Sequence, residues 1–390
     1  MDSRFNAYWI TLAHLQKTTL EGRRWRWKYR EINSLIKQIY EVQHSNIGEF
    51  FMMEAEEWRD VYELDEIAVE SLFKAKEEVV NNSYLAEKLE NFGIEIITAL
   101  DEEYPPLLKT NLDDNSYPPV LYVKGDKDML LKTDSIAVVG SRKANPTSLE
   151  FTDNIAKKAA QENKIIVSGI AKGVDEKATN SILDYGGKSI VVLAQGILTY
   201  ESLFQKYYRH IIDANILVLS IFHPLNQWMA WQAMTRNFVI YGLSKDIYIA
   251  ESGDKGGTWG GAEDGFRRNR VIYIRKPEAD ENNANNLLIA KGARPVDLHG
   301  NPLQLPEHLE LKLKRESSFT DNVITLLTDK PLTANQIKES LKLDWSTNKI
   351  AQQLKLIHEV TSIGKSPMKY TLKSLKQTDE IALNQQEIDF

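Results

Sequence analysis

Apolar residues recur at three- and four-residue intervals over the first hundred positions, as at Ile32, Leu35, Ile36, Ile39 and Tyr40. That is the period of one buried helix face, so residues 1–100 are expected to form a small helical domain. Two proline pairs, Tyr104-Pro105-Pro106 and Tyr117-Pro118-Pro119, bracket a linker at 101–116. Beyond it the pattern changes. Short β-branched runs at 135–139, 164–167, 189–193, 216–219, 246–250 and 270–274 alternate with amphipathic stretches beginning near Ser148, Val174, Glu201, Gln227 and Gly260. Continuous apolar strands joined by crossover helices predict a doubly wound α/β domain over 117–300, its parallel sheet covered on both faces. After His299-Gly300-Asn301-Pro302 come helical segments at 320–327, 334–341 and 346–357, then a hairpin at 360–372 turning at Gly364 and Pro367. That succession predicts a winged helix over 318–376.

Composition narrows the function classes. The 390 residues are 42% hydrophobic, enough for two or three domains with a sizeable core. Zero cysteines exclude disulfides, thiolate nucleophiles and iron–sulfur clusters, and the seven histidines are scattered without metal-ligand spacing. No apolar run reaches the length of a membrane span and the amino terminus opens no signal peptide, so a soluble cytoplasmic protein is expected, with no membrane partner and no cofactor. The net charge of -7 argues against a wholly basic nucleic-acid binder, but it is unevenly placed. Residues 54–70 carry eight acids and one arginine, and 377–390 carry four acids and no base, a composition expected of a flexible tail. Residues 318–376 hold nine lysines against five acids, a net +4.

The candidate chemistry lies at strand ends. The first run of the sheet ends in Val139-Gly140-Ser141-Arg142-Lys143: a glycine there lets backbone approach a phosphate, the following hydroxyl and amide donate to it, and Arg142 adds a charged fork. The second ends in Ser168-Gly169-Ile170-Ala171-Lys172-Gly173-Val174-Asp175, again a phosphate-sized turn, with Lys172 at hand and Asp175 placed to cap the next helix. A third cluster is Thr235-Arg236-Asn237, which also reads as a capped, solvent-facing helix turn, and a fourth is Lys255-Gly256-Gly257-Thr258 opening a helix. None matches G-x-G-x-x-G, and Gly186-Gly187-Lys188-Ser189 is a false Walker motif because Ile182 stands where its first glycine belongs.

In order along the chain, VVGSRK, SGIAKGVD, GGKSIVVLAQGI, RNFVIYGLS with IYIAES, and NNLLIAKGA resemble the DNA-processing protein A (DprA, also called Smf) family over about 117–297. The resemblance implies an extended Rossmann-type domain that binds single-stranded DNA as a homodimer and helps load a RecA-type recombinase in transformation or recombination. Carried over by position, Ser141, Arg142, Ser168, Gly169, Lys172, Gly173, Arg236, Asn237 and Lys245 would form the DNA-facing pocket. Where the family usually has Ser-Glu with a glycine turn and Arg-Asn-Arg, this chain has Ser220-Ile221 and Arg236-Asn237-Phe238. Such divergence fits a DprA-like component of a bacterial phage-defence system, with a toxin partner, as an alternative.

Two classes of function remain in competition. A DNA-binding protein without a reaction would add stacking on Trp228, Trp231, Phe238, Tyr241 or Trp259, at least half of which are expected to be core. A nucleotide phosphoribohydrolase of the related lysine-decarboxylase-like group would use Glu263 or Asp264 as its acid. In the winged helix, 346–357 would present Asn348, Lys349, Gln352, Gln353 and Lys355 to a duplex, or the module would dock a protein instead. Finally, the tract from Arg23 to Arg30 would either track a nucleic-acid backbone or form an amphipathic helix burying Trp25 and Tyr29.

Overall fold

The computed structural model describes residues 3–18, 24–112, 115–304, 319–320, 322–328, 330–354, 357, 360–364 and 368–372. Its centre is a nine-stranded sheet. The strands are β3 (Glu95–Thr98), β4 (Val120–Gly125), β5 (Ser135–Val139), β6 (Ile165–Ser168), β7 (Lys188–Val192), β8 (Ile216–Ser220), β9 (Asp246–Ile249), β10 (Ile272–Arg275) and β11 (Arg294–Val296), in the spatial order β11-β10-β9-β5-β6-β7-β8-β4-β3. β11 through β8 are parallel, and β4 and β3 add an antiparallel edge. Every residue of β5 and β8 is buried, which is why those runs read as continuous rather than alternating.

Side-chain alternation sorts the sheet into two faces. Ala137 and Val139 of β5 pack in a core with α6 (Pro106–Asn111) and α11 (Ala230–Gly242), and α12 (Gly257–Arg267) adds Ala262 to it. Ile136 and Val138 face the other way, into a core with α7 (Pro146–Gln161) and α8 (Val174–Asp184), while α9 (Glu201–Lys206) and α10 (Tyr208–Ile212) connect β7 to β8. The mixed α/β architecture with a large, mainly parallel, doubly wound sheet is therefore as the pattern predicts.

Two segments differ from the sequence reading. Residues 101–116 were expected to be a linker, yet α6 lies within them and packs on α11: Leu108 comes so close that a Cβ on Gly242 would lie 2.7 Å from its Cδ2, and Asn111 donates to the Gly242 carbonyl at 2.9 Å. Likewise β3, inside the stretch read as purely helical, pairs with β4 and belongs to the sheet. Both are too short to show a period, and Pro105-Pro106 marks a helix start.

The basic-aromatic tract is not one helix either. Arg24–Arg26 is a strand, β2, antiparallel to β1 (Gln16–Thr18), and the Trp27 amide extends the ladder to the Leu15 carbonyl at 3.1 Å. Only at Tyr29 does α2 (Tyr29–Lys37) begin. The Arg24-Trp25-Arg26-Trp27 alternation has the period of a strand. Arg23 lies outside the described residues.

Helices α1 (Ser3–Ala13), α2, α3 (Ile47–Met52), α4 (Ala55–Asp60) and α5 (Glu66–Asn91) precede the sheet. Their apolar faces share a core with Val120, Tyr122, Val191, Ile216 and Val218 of the sheet. At the carboxyl end, β12 (Leu332–Thr333), helices Ala334–Ser340 and Thr347–Leu354, β13 (Val360–Ile363) and β14 (Lys369–Leu372) enclose a separate core around Ile337, Ile350, Leu354 and Tyr370. Their sheet has the order β12-β14-β13. The tail expected at 377–390 falls outside the described residues. No described helix is long and apolar enough to cross a membrane.

Candidate nucleic-acid interface

Strand order reverses beside β5: the chain runs outward through β6, β7 and β8, then returns to place β9 on the other flank of β5. Loops leaving β5 and β9 diverge there and open a crevice at the carboxyl ends of the strands, where doubly wound sheets bind ligands. The Ser141 amide donates to the Glu251 carbonyl at 2.9 Å, and the Val174 amide to the Ser141 carbonyl at 3.3 Å, so three of the glycine-rich turns are joined through backbone.

The glycines are required by close approach. A Cβ on Gly140 would lie 2.6 Å from Val174 Cγ2, and one on Gly173, whose φ is +86°, would lie 2.3 Å from the Ser141 carbonyl oxygen. At Gly169 a Cβ would sit 0.8 Å from Arg236 Nη1. Through that gap the Arg236 guanidinium, 4% exposed, donates to Asp175 Oδ2 at 3.4 Å and to the Val192 carbonyl at 3.5 Å. Burial raises the Asp175 pKa above the ordinary carboxylate value, only partly opposed by the Arg236 charge, and lowers that of Arg236, only partly opposed by Asp175. Arg236 Nε, although buried, has no hydrogen-bond partner.

Around this pair lies a cavity of about 330 Å³ lined by Gly140, Arg142, Asp175, Trp228, Arg236 and Lys255, among others. A second, of about 390 Å³, adjoins it across Arg142, Trp228 and Arg236 and extends to Lys143, Lys172 and Tyr200. The Arg142 guanidinium lies 5.9 Å from the centroid of the Trp228 ring. Gly257 and Thr258 line the crevice at the start of α12, where no side chain caps the helix; Asn237 donates to the Gly257 carbonyl at 3.0 Å. Five cationic side chains, an indole and the uncapped start of α12 thus share one concave surface, an arrangement suited to a phosphate with a flat group beside it.

The loop after β9 is held from behind. Glu251 accepts from the Asn145 amide at 3.0 Å and from Ser148 Oγ at 2.9 Å, and Ser148 Oγ accepts from buried Arg275 at 2.9 Å. Arg275 in turn pairs with Glu281, holding that carboxyl down at about 2.

Most residues singled out from the sequence meet here: Gly140, Arg142, Lys143, Gly169, Lys172, Arg236, Asn237, Gly257 and Thr258 line the two cavities, and Ser141, Gly173 and Gly256 shape their turns. Two do not. Lys245 precedes β9 and so lies at the opposite end of the strands, its ammonium 3.6 Å from Asp134. Ser168 is fully buried and donates to the Val138 carbonyl at 2.8 Å, bracing β6 against β5. Arg236 is no solvent-facing turn, and Asp175 proves to be its counter-ion rather than a simple cap.

Sequence reasoning missed Met234 and Lys255 as lining residues; the lysine stands beside the glycine pair Gly256-Gly257, but nothing marks Met234 before α11 is oriented. Of the aromatics, Trp228 and Trp231 are 47% and 42% exposed and Phe238 is exposed, whereas Tyr241 is buried. Trp259 packs partly into the core under the Lys291 ammonium. Glu263 is held by Lys291 at 2.6 Å, and Asp264 by Arg267 and Arg268; neither lines the crevice. Asn348, Lys349 and Gln352 are exposed on the helix Thr347–Leu354 and Gln353 is half-buried there, while Lys355 is outside the described residues.

Fold and crevice define a doubly wound α/β protein with a cation-lined crevice at its switch point. The family model for DNA recombination-mediator protein A matches residues 95–304, and the chain belongs to that family, DprA/Smf. Its start at residue 95 coincides with β3. The DNA processing protein DprA of Streptococcus pneumoniae is 29% identical over 194 residues, covering 50% of this chain and 66% of that protein. Protein Smf of Escherichia coli is 29% identical over 187 residues, covering 47% and 49%. The chain therefore spans between about half and two-thirds of these relatives' length. The X-ray structure of S. pneumoniae DprA superimposes with a TM-score of 0.55 at 26% identity, covering 69% of this chain and 95% of that one.

Proposed function

We propose that the protein binds single-stranded DNA in the switch-point crevice and acts as a mediator of recombination, assisting a RecA-type recombinase. Phosphates lie against the turns at 140–143, 169–173 and 256–258, while bases stack on Trp228. The observation that carries this reading is Arg236: a buried guanidinium with an unpartnered Nε at the floor of a crevice whose rim holds Arg142, Lys172 and Lys255. Such a group is costly to desolvate unless a ligand completes its hydrogen bonding. Membership of a recombination-mediator family supports the same conclusion. In this reading the helices before β3 form an amino-terminal domain, the elements at 319–372 form a winged helix, and the protein works as a homodimer.

The test is a double variant, Arg142→Ala with Lys172→Ala, neither of them part of the core. Affinity for a single-stranded oligonucleotide should fall, and the slope of log affinity against log salt should flatten by roughly 0.7 for each phosphate no longer neutralised. Unchanged affinity and slope would refute the crevice as the DNA site.

A further inference from the structure

The crevice has a counterpart on the other side of α11. Ala233, Arg236 and Asn237 of that helix line the crevice, while Trp231, Thr235 and Phe238, on its opposite face, line a separate cavity of about 510 Å³. Its walls are aromatic, formed by Trp27, Tyr29, Phe222, Trp231 and Phe238. Trp231 stands edge-on to buried Phe222 with centroids 5.8 Å apart, and the Arg26 guanidinium covers its ring at 5.1 Å. Lys28 and Arg30 add exposed cations to the lining, Arg268 lies there paired with Asp264, and no described lining residue is a carboxylate.

We propose that this cavity is a second subsite for the same strand, taking a nucleobase one helix-width beyond the crevice. The idea rests on the crevice being a DNA site and adds where the strand goes next. Its volume falls in the range of small-ligand pockets. An apolar cleft for a protein segment would not need cations without acids around it, whereas a base between aromatic faces with its phosphates outside needs that combination. The path is present as well: Trp228 and Met229, both exposed, lead over the amino end of α11 from one cavity to the other, and the helix between them is only ~10 Å across.

The experiment uses the full chain with oligo(dT) of increasing length, each carrying one 2-aminopurine at a varied position. Affinity should rise in a second step once the oligonucleotide is long enough to reach both cavities, with fluorescence quenched at one further position. Trp231→Leu should abolish that quenching and lower long-oligonucleotide affinity by about 5- to 150-fold, the value of one stacked base, while leaving short oligonucleotides unaffected. Phe238→Leu, which keeps an apolar side chain, should act in the same direction and guards against misfolding, checked by thermal melting. If Trp231→Leu changes neither quenching nor affinity while Arg142→Ala with Lys172→Ala abolishes binding, the crevice stands and the subsite is overturned. Loss of self-association in Trp231→Glu with DNA affinity intact would likewise overturn it, assigning the cavity to a second copy. Unchanged binding in the crevice variant would overturn the DNA reading itself.

Discussion

Gly169 shows how one missing methyl group sets the chemistry of the crevice. Arg236 reaches Asp175 only because nothing projects from residue 169; a Cβ there would coincide with the guanidinium. Both members of the ion pair are buried, so displacing one strands the other's charge. Gly169→Ala should therefore destabilise the protein by about 3–5 kcal/mol in urea denaturation, far above the usual cost of adding a methyl to a loop. Arg236→Ala should remove most of that penalty, because the clash then disappears; equal costs of Gly169→Ala in both backgrounds would show that the clash is not the cause. At this scale the sequence is informative about backbone and silent about partners. Glycines at strand ends announce close approach, whereas the pairing of Asp175 with Arg236 joins residues 61 positions apart and has no local signature.

At the scale of elements, α7 and α8 are tied across their solvent side by a single carboxylate. Asp153 of α7 accepts from Lys177 Nζ and Ser181 Oγ at 2.6 Å, and from Tyr185 Oη at 2.7 Å just past the end of α8. Partial burial pushes its pKa up, but the three donors outweigh it and bring the group down to about 2. A carboxyl depressed in the fold contributes its full stability above its ordinary value near 4 and loses it as pH falls towards 2. Asp153→Asn should cost about 1–2 kcal/mol at neutral pH, the modest figure reflecting the part-exposed lysine and tyrosine. Between about pH 4 and 2 the gap between variant and parent should close, as followed by urea midpoints; a constant gap would mean the charge is irrelevant. These two helices also show what a chain pattern conveys. The start of α8 falls at Val174, where the periodicity puts it, because a long amphipathic segment carries enough turns to define a face. The strands β3 and β11 and the helix α6 have three to six residues each, and only their partners in the sheet or on α11 reveal them.

For the whole molecule, the sheet and the helices before it share a continuous hydrophobic core, and His14 sits at their junction. Following α1, it is hydrogen-bonded through Nε2 to the Tyr122 hydroxyl of β4 at 2.9 Å and stands edge-on to His223, just after β8, at 5.3 Å. Burial holds its pKa well below the ordinary histidine value, and His223 and Arg26 add to the effect by repulsion; burial lowers that of His223 too. The fold thus keeps both rings neutral, while the unfolded chain takes up protons below about pH 6.5. Stability should be flat above that value and decline as pH falls from it, by up to about 1.4 kcal/mol per pH unit for each histidine that stays neutral. The decline comes well above the range in which Asp153 at the α7–α8 junction titrates, and comparison with a His14 variant ties it to the union of helices and sheet. Urea midpoints from pH 8 to pH 5 check this: His14→Gln should be less stable than the parent at pH 8 and lose less on acidification. A parallel fall in the two proteins would place the acid sensitivity elsewhere. The same buried layer takes in the proline-flanked stretch at 101–116, which holds a packed helix where a bare linker was expected. Its residues are consumed in joining α5, through β3, to β4, so the chain crosses from helices to sheet without leaving the core.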